Sequence, residues 1–367
     1  MYTSVKLLSR CFAAVMVLLA ASCKHDNLLV PKPNENIRPA SDFIRNNYDF
    51  RLFYAALDYT GLVNDLNGPG PFTILAPPDN AFNGLGIQSV DDIRKLNKDS
   101  LRDAMQYHVL KNRKLTTDKI PTNGVDVRYE TLSGKSIYMS ALTQSNAFFA
   151  DGCKLLKRDI QLANGVLHVL NKMMQYHKDQ SVQQYLAKQS RYSLFVSGLK
   201  KAGLWDELAS GGPYTIYAPS NEAFAAAGIT QNDIDGLDAA KYDLTRLFGA
   251  YIVYGKHFFV TDQWIFNVVT GNSIYYSFLR NDDWKLQLVS ITTRPDGPNG
   301  SIESVTAYPE LILYKPNPRV PEVPFIIGQV GQNYYKPQPL AGYDRLCENG
   351  LVHDLHGILI KPADALK

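Results

Sequence analysis

The sequence runs to 367 residues, 45% of them hydrophobic and 20% charged. That is enough chain, of the right balance, for two domains with their own cores, and it excludes a disordered or fibrous protein. Its 38 basic and 35 acidic residues nearly cancel, so no electrostatic pull toward nucleic acid or an anionic surface is expected.

At the amino terminus Lys6 and Arg10 flank CFAAVMVLLAAS, residues 11–22. The run is too short to span a bilayer as a mature helix and reads as a secretory signal. It ends in LAASC, which resembles the bacterial lipobox, with Ala20 where that pattern has Leu. The alternative is an ordinary signal peptide ending beside a cysteine. The resemblance implies a lipoprotein signal peptide over residues 1–22 and an acylated, palmitate-type Cys23 at the head of a polar tether, residues 23–39. The KHDN that follows Cys23 resembles the surface-export signal of Bacteroidetes lipoproteins. An outer-membrane location is therefore expected, facing the cell surface or, as the alternative, the periplasm.

Beyond the tether the chain says most things twice. Phe53 and Leu57, then Phe195 and Leu199, recur at helical spacing, so each repeat opens with an amphipathic helix. PFTILAPPDNAF (residues 71–82) returns as PYTIYAPSNEAF (residues 213–224). Its β-branched and aromatic start predicts a strand, and Pro77 and Pro219 end it. Asp79 and Asn221 are placed as caps of a short helix that carries Phe82 and Phe224. With no clustered glycines at the turn, this is a strand–turn–helix corner and not a phosphate cradle. GLVNDL and GLWDEL, TLSGKSIYMS and VVTGNSIYYS, NGVLHVLNKMM and NGLVHDLHGIL follow in the same order, which marks a tandem duplication. The second repeat carries extra residues within about 279–346.

The TIxAPxxxAF corner, YHVL (residues 107–110) and the closing NGVLHVL strand together resemble the fasciclin-type domain. Repeat two has both boxes, with Tyr251-Ile252 set against Tyr107-His108. The resemblance implies an α+β fold of two tandem fasciclin-type domains, each a β-sandwich wedge with helices packed along one edge. Domain one is placed at residues 40–178 and domain two at 181–363. The chain is expected to divide near residues 177–180, with few contacts crossing.

Candidate chemistry is sparse. His168 and His353 lie between apolar neighbours on a strand face and are expected to be core histidines bonded to backbone carbonyls, since no Ser, Cys or carboxylate recurs beside both. Tyr107 and His108 are read as a buried pair fixing local structure; the family links this motif to adhesion. Cys153 and Cys347 are left as two buried thiols or as one bridge. No zinc or calcium spacing occurs, and neither cofactor nor catalytic residue is expected. The insertion is rich in Pro and aromatics. LQLVSITT and SVTAYPELILY are expected to pair as a hairpin and YKPNPRVPEVP to run extended; the segment as a whole either covers one edge of domain two or presents a ligand surface through Trp284, Tyr334 and Tyr335. The reading is a surface-anchored, non-enzymatic adhesion lipoprotein recognising a cell-surface or matrix protein or a polysaccharide. The alternative is an accessory glycan-capture lipoprotein of an outer-membrane nutrient-uptake system.

Overall fold

The computed structural model describes residues 37–270, 274–276, 284–293, 306–320, 323–330 and 342–367. Cys23, Tyr334 and Tyr335 lie outside them. In domain one, β1 (Phe72–Ala76), β2 (Val109–Leu110), β3 (Gly124–Glu130), β4 (Ser136–Leu142), β5 (Ala147–Ala150), β6 (Cys153–Leu162) and β7 (Gly165–Leu170) form one ladder. Its order is β2-β1-β7-β6-β5-β4-β3. The central pair, β1 and β7, runs parallel and is buried on both faces, as parallel strands covered on each side should be. Phe72, Ile74 and Ala76 point into a helical cluster with Phe53, Leu57 and Met105. Leu75 points the other way, among Met139, Leu155 and Leu170, the period of two that a strand imposes.

The helix Arg51–Tyr59 buries Leu52, Phe53, Ala56 and Leu57 along one stripe. Its first turn is capped from outside: Asp79 Oδ1 accepts the Leu52 N–H at 2.7 Å. In the second repeat Asn221 Oδ1 accepts the Leu194 N–H at 3.1 Å, at the start of Ser193–Lys201. This corrects the sequence reading. Asp79 and Asn221 occupy the first turn of their own helices and cap the helix that opens each repeat, pinning it to the corner.

Domain two builds its sheet from β8 (Tyr176–His177), β9 (Tyr214–Pro219) and β10 (Ile252–Tyr254). β11 (Ile274–Tyr276) comes from the repeated SIYYS segment, the insertion contributes β12 (Lys285–Thr293), β13 (Thr306–Lys315) and β14 (Phe325–Val330), and the chain closes with β15 (Arg345–Cys347) and β16 (Gly350–Leu355). The core order is β10-β9-β16-β15-β8, and the insertion strands join β11 in a separate sheet, β11-β12-β13-β14. The long hairpin is β12–β13. Pro309 stands opposite Ser290 of β12, before pairing with β14 begins at Leu311, so it falls where β13 has a neighbour on one side only, the edge position a proline favours. The following YKPNP segment is a closed turn, contrary to the extended run expected of it. Asn317 Oδ1 accepts the N–H groups of Arg319 and Val320, and its Nδ2 donates to the Val323 carbonyl.

The linker does not hang between the domains. β8 pairs in parallel with β15, Tyr176 opposite Leu346 and His177 opposite Cys347. Phe259, Leu346 and Leu351 join the apolar cluster of domain one. Leu142, Ala147 and Phe149 pack with Val260, Trp264, Ile265 and Tyr343. Arg38–Lys367 is accordingly one compact unit, and the sparse crossing expected near residues 177–180 is not what the chain builds.

Candidate functional site

The recurring polar residues meet at the corner of each repeat, and each holds backbone. Asn164 Nδ2 donates to the Leu66 and Gly68 carbonyls while its Oδ1 accepts the Ala40 N–H. Asn349 does the same with Leu208 and Val182. The next residue must be glycine: a β-carbon at Gly165 would lie 2.1 Å from the Phe72 carbonyl oxygen, and at Gly350 2.2 Å from that of Tyr214. Thr73 Oγ1 donates to the Arg113 carbonyl and accepts the Leu115 N–H. Thr215 repeats both bonds with Lys256 and Phe258.

His168 is fully buried. Its Nε2 meets the Leu115 carbonyl at 2.8 Å and its Nδ1 the Asp159 N–H at 3.3 Å. His353 sits likewise on the Phe258 carbonyl, 2.8 Å, and the Asp344 N–H, 3.1 Å. A carbonyl only accepts and an amide N–H only donates, so both rings are the neutral Nε2–H tautomer. Burial pushes both pKa values down, because a charged ring would be desolvated. Neither nitrogen is left for substrate.

His108 is held the opposite way round. Nδ1–H donates to the Ala104 carbonyl at 2.8 Å, and Nε2 accepts the Met174 N–H at 3.2 Å. Burial lowers its pKa to about 4. The hydrogen bonds also re-register the repeats by one residue. The His108 carbonyl accepts from Leu75 N–H, and the Tyr251 carbonyl accepts from Tyr217 N–H, the matching corner position. Tyr251 therefore stands opposite His108, not Tyr107. Its hydroxyl accepts the Leu359 N–H at 2.8 Å, the bond that His108 makes to Met174. Two unlike side chains perform one task.

Tyr107 serves the domain junction. Its hydroxyl donates to Asp151 Oδ2 at 2.6 Å, and Asp151 Oδ1 accepts the Tyr138 N–H at 2.8 Å. Beside this pair lies a cleft of 260 Å³ lined by Leu85, Asp151, Cys153, Lys172, Asp344 and Arg345 among others. Residues from both domains thus meet there. Sequence reasoning missed it: Asp151-Gly152 reads locally as a turn, and nothing in the sequence sets Asp344 opposite. Cys153 and Cys347 are buried free thiols, and burial raises both to about 12, which leaves them unreactive. Among the described residues no group of His, Cys, Asp and Glu is arranged to hold a metal ion.

Trp284 is not surface. It is 3% exposed and packs with Leu286, Leu288, Leu311 and Leu313, its indole 4.5 Å from the Arg246 guanidinium. Standing at the head of β12, it is drawn inward with that strand's apolar face. The insertion exposes other side chains. Val320 (44%), Val323 (61%), Phe325 (50%) and Ile326 (59%) crowd the β13–β14 turn and the start of β14.

Comparison with known proteins gives a consistent picture. The family described as the Fasciclin domain matches residues 48–176 and 190–284. The chain is 29% identical over 165 residues to transforming growth factor-beta-induced protein ig-h3 of Sus scrofa, covering 44% of this chain and 23% of that one. It is 28% identical over 178 residues to periostin of Homo sapiens, covering 47% and 19%. The chain thus spans about a fifth of the length of these relatives. A solved FAS1 domain pair from the insect cell adhesion molecule fasciclin I is similar at 14% identity and a TM-score of 0.36, over 86% of this chain and 97% of that one.

Proposed function

The chain belongs to the fasciclin-domain family, and from that membership we propose a non-enzymatic binding protein of the adhesion type, recognising a cell-surface or matrix protein. The observation that carries the reading is the apolar patch of Val320, Val323, Phe325 and Ile326 on the β13–β14 turn. Clustered exposed hydrophobics of this kind mark contact surfaces, and the Asn317 bonds hold their turn in shape before any partner arrives, lowering the ordering cost. The commitment of His108, His168 and His353 to backbone groups supports binding over catalysis. Three aliphatic side chains and one Phe suit a protein surface better than a polysaccharide, so the glycan-capture alternative is the weaker one. Attachment to an outer membrane through acyl chains on Cys23 is part of the same proposal; several chains would anchor it stably.

Two measurements test this. Beads coated with extracellular-matrix protein and beads carrying purified polysaccharide are offered to the chain and to a Phe325→Ser/Ile326→Ser variant. Retention on protein that falls about ten-fold or more in the variant, with an unchanged thermal midpoint, is expected. Retention on polysaccharide alone, or binding indifferent to the two substitutions, overturns the surface assignment. Mass spectrometry of the mature amino terminus should find lipid on Cys23; an unmodified, soluble terminus removes the anchor.

A further inference from the structure

At the domain junction the Asp151-Gly152 turn meets Asp344 with no room between them. A β-carbon at Gly152 would lie 2.7 Å from Asp344 Oδ2. Asp344 is fixed where it stands: Oδ1 accepts the Val260 N–H at 2.9 Å, at the start of the helix Val260–Thr270. The groups facing Asp151 are Tyr107 from the helix Lys98–Tyr107, Tyr138 from β4, Cys153 at the head of β6, Lys172 beyond β7 and Asp344 before β15. Lys172 lies 3.4 Å from Asp344 Oδ2 with nearly half its side chain in solvent. Arg345, on the same cleft, turns its guanidinium to Gln175. His353 adds no charge, because its Nδ1 already accepts the Asp344 N–H. Two carboxylates from different domains thus line one 260 Å³ cleft with Lys172, whose ammonium pairs with Asp344 and acts on Asp151 through its charge.

We propose that this junction is a pH-responsive joint, closed while Asp151 holds its proton and loosened when both carboxylates are charged. Burial pushes the Asp151 carboxyl up to about 7, and the Asp344 charge acts in the same direction; the Tyr107 and Tyr138 bonds and Lys172 oppose. The sign follows from linkage. An acid whose value is higher in the closed state stabilises that state fully below its free value near 3.8, and the contribution fades as pH rises to about 7. Above that, opening lets water from the cleft reach the ion. Asp262, on the helix Val260–Thr270, reinforces the effect: burial raises it too, with the Asp344 charge adding to the rise.

Hydrogen exchange of the full chain, corrected for intrinsic rates, tests the joint between about pH 5 and about pH 8. Protection of residues 147–154, 257–270 and 342–348 should fall about ten-fold or more as pH rises and level off near 7, while the helix Arg51–Tyr59 stays unchanged. Asp151→Asn should make the profile distinctly shallower, leaving only the part that Asp262 supplies. If that variant does not fold, Asp344→Asn should move the levelling point down and Lys172→Gln should move it up. A flat wild-type profile overturns the proposal, and so does a levelling point that neither substitution moves.

Discussion

At the scale of single residues, the repeated polar side chains act as clamps on backbone, and removing one orphans its partner. Tyr251→Phe should cost domain two roughly 1–2 kcal/mol by leaving the Leu359 N–H buried without an acceptor, measurable as a lower urea midpoint. His168→Ala strands both the Leu115 carbonyl and the Asp159 N–H, so roughly 3 kcal/mol is expected there. Much of this layer was legible in the sequence, because duplication returned the same residue wherever the clamp needed one chemistry: Thr73 and Thr215, Asn164 and Asn349, His168 and His353. The layer became illegible where the clamp changed residue. Matching like with like sets Tyr251 against Tyr107, and only the shared hydrogen bond reveals His108 as its counterpart. Asp79 and Asn221 misled for a related reason. Composition identifies a capping side chain but not which nearby helix it caps.

Among the elements, the corner, the closing strand and the long hairpin follow from local pattern, and the last insertion strand, β14, and the linker strand do not. β8 is only two residues long and is a strand solely because β15 lies beside it, which no local preference encodes. Trp284 fails as a surface residue on the same ground: its exposure is set by the sheet it enters, not by its neighbours in sequence. A consequence can be tested. A fragment of residues 38–178 should still unfold cooperatively, since it keeps β1 to β7 and both its helical and strand clusters. It loses the cover of Phe259, Leu346 and Leu351, so its stability should fall by roughly 2–4 kcal/mol relative to the same domain in the full chain. A fragment midpoint equal to that of the full chain would mean the junction adds nothing.

For the molecule as a whole, two sets of buried groups pull stability in opposite directions over one pH range. His108, pushed down to about 4 from 6.5, is neutral in the fold; the unfolded chain takes up the proton first, so stability is lost as pH falls from about 6.5 toward 4. His168 and His353 act with the same sign. Asp151, raised to about 7, acts with the reverse sign across nearly the same window. Asp151, with Asp262 raised alongside it, should therefore make the wild-type stability profile shallower between about pH 4 and about pH 7 than the three histidines alone would give. Asp151→Asn should steepen it by up to about 1.4 kcal/mol per pH unit in favour of the neutral end, as pH-dependent urea titrations would show. The linker strand has a further, mechanical meaning. Tension drawing the two domains apart along the chain enters through residues 171–181, and β8 lies in that path. The load is met by the β8–β15 backbone bonds, the Lys135–Glu348 ion pair and the bond from the Glu348 N–H to the Gln180 carbonyl. The first and last of these hold the linker against domain two and the ion pair ties domain one to the same turn, so the linker is fastened along its length and is not a loose tether between the domains.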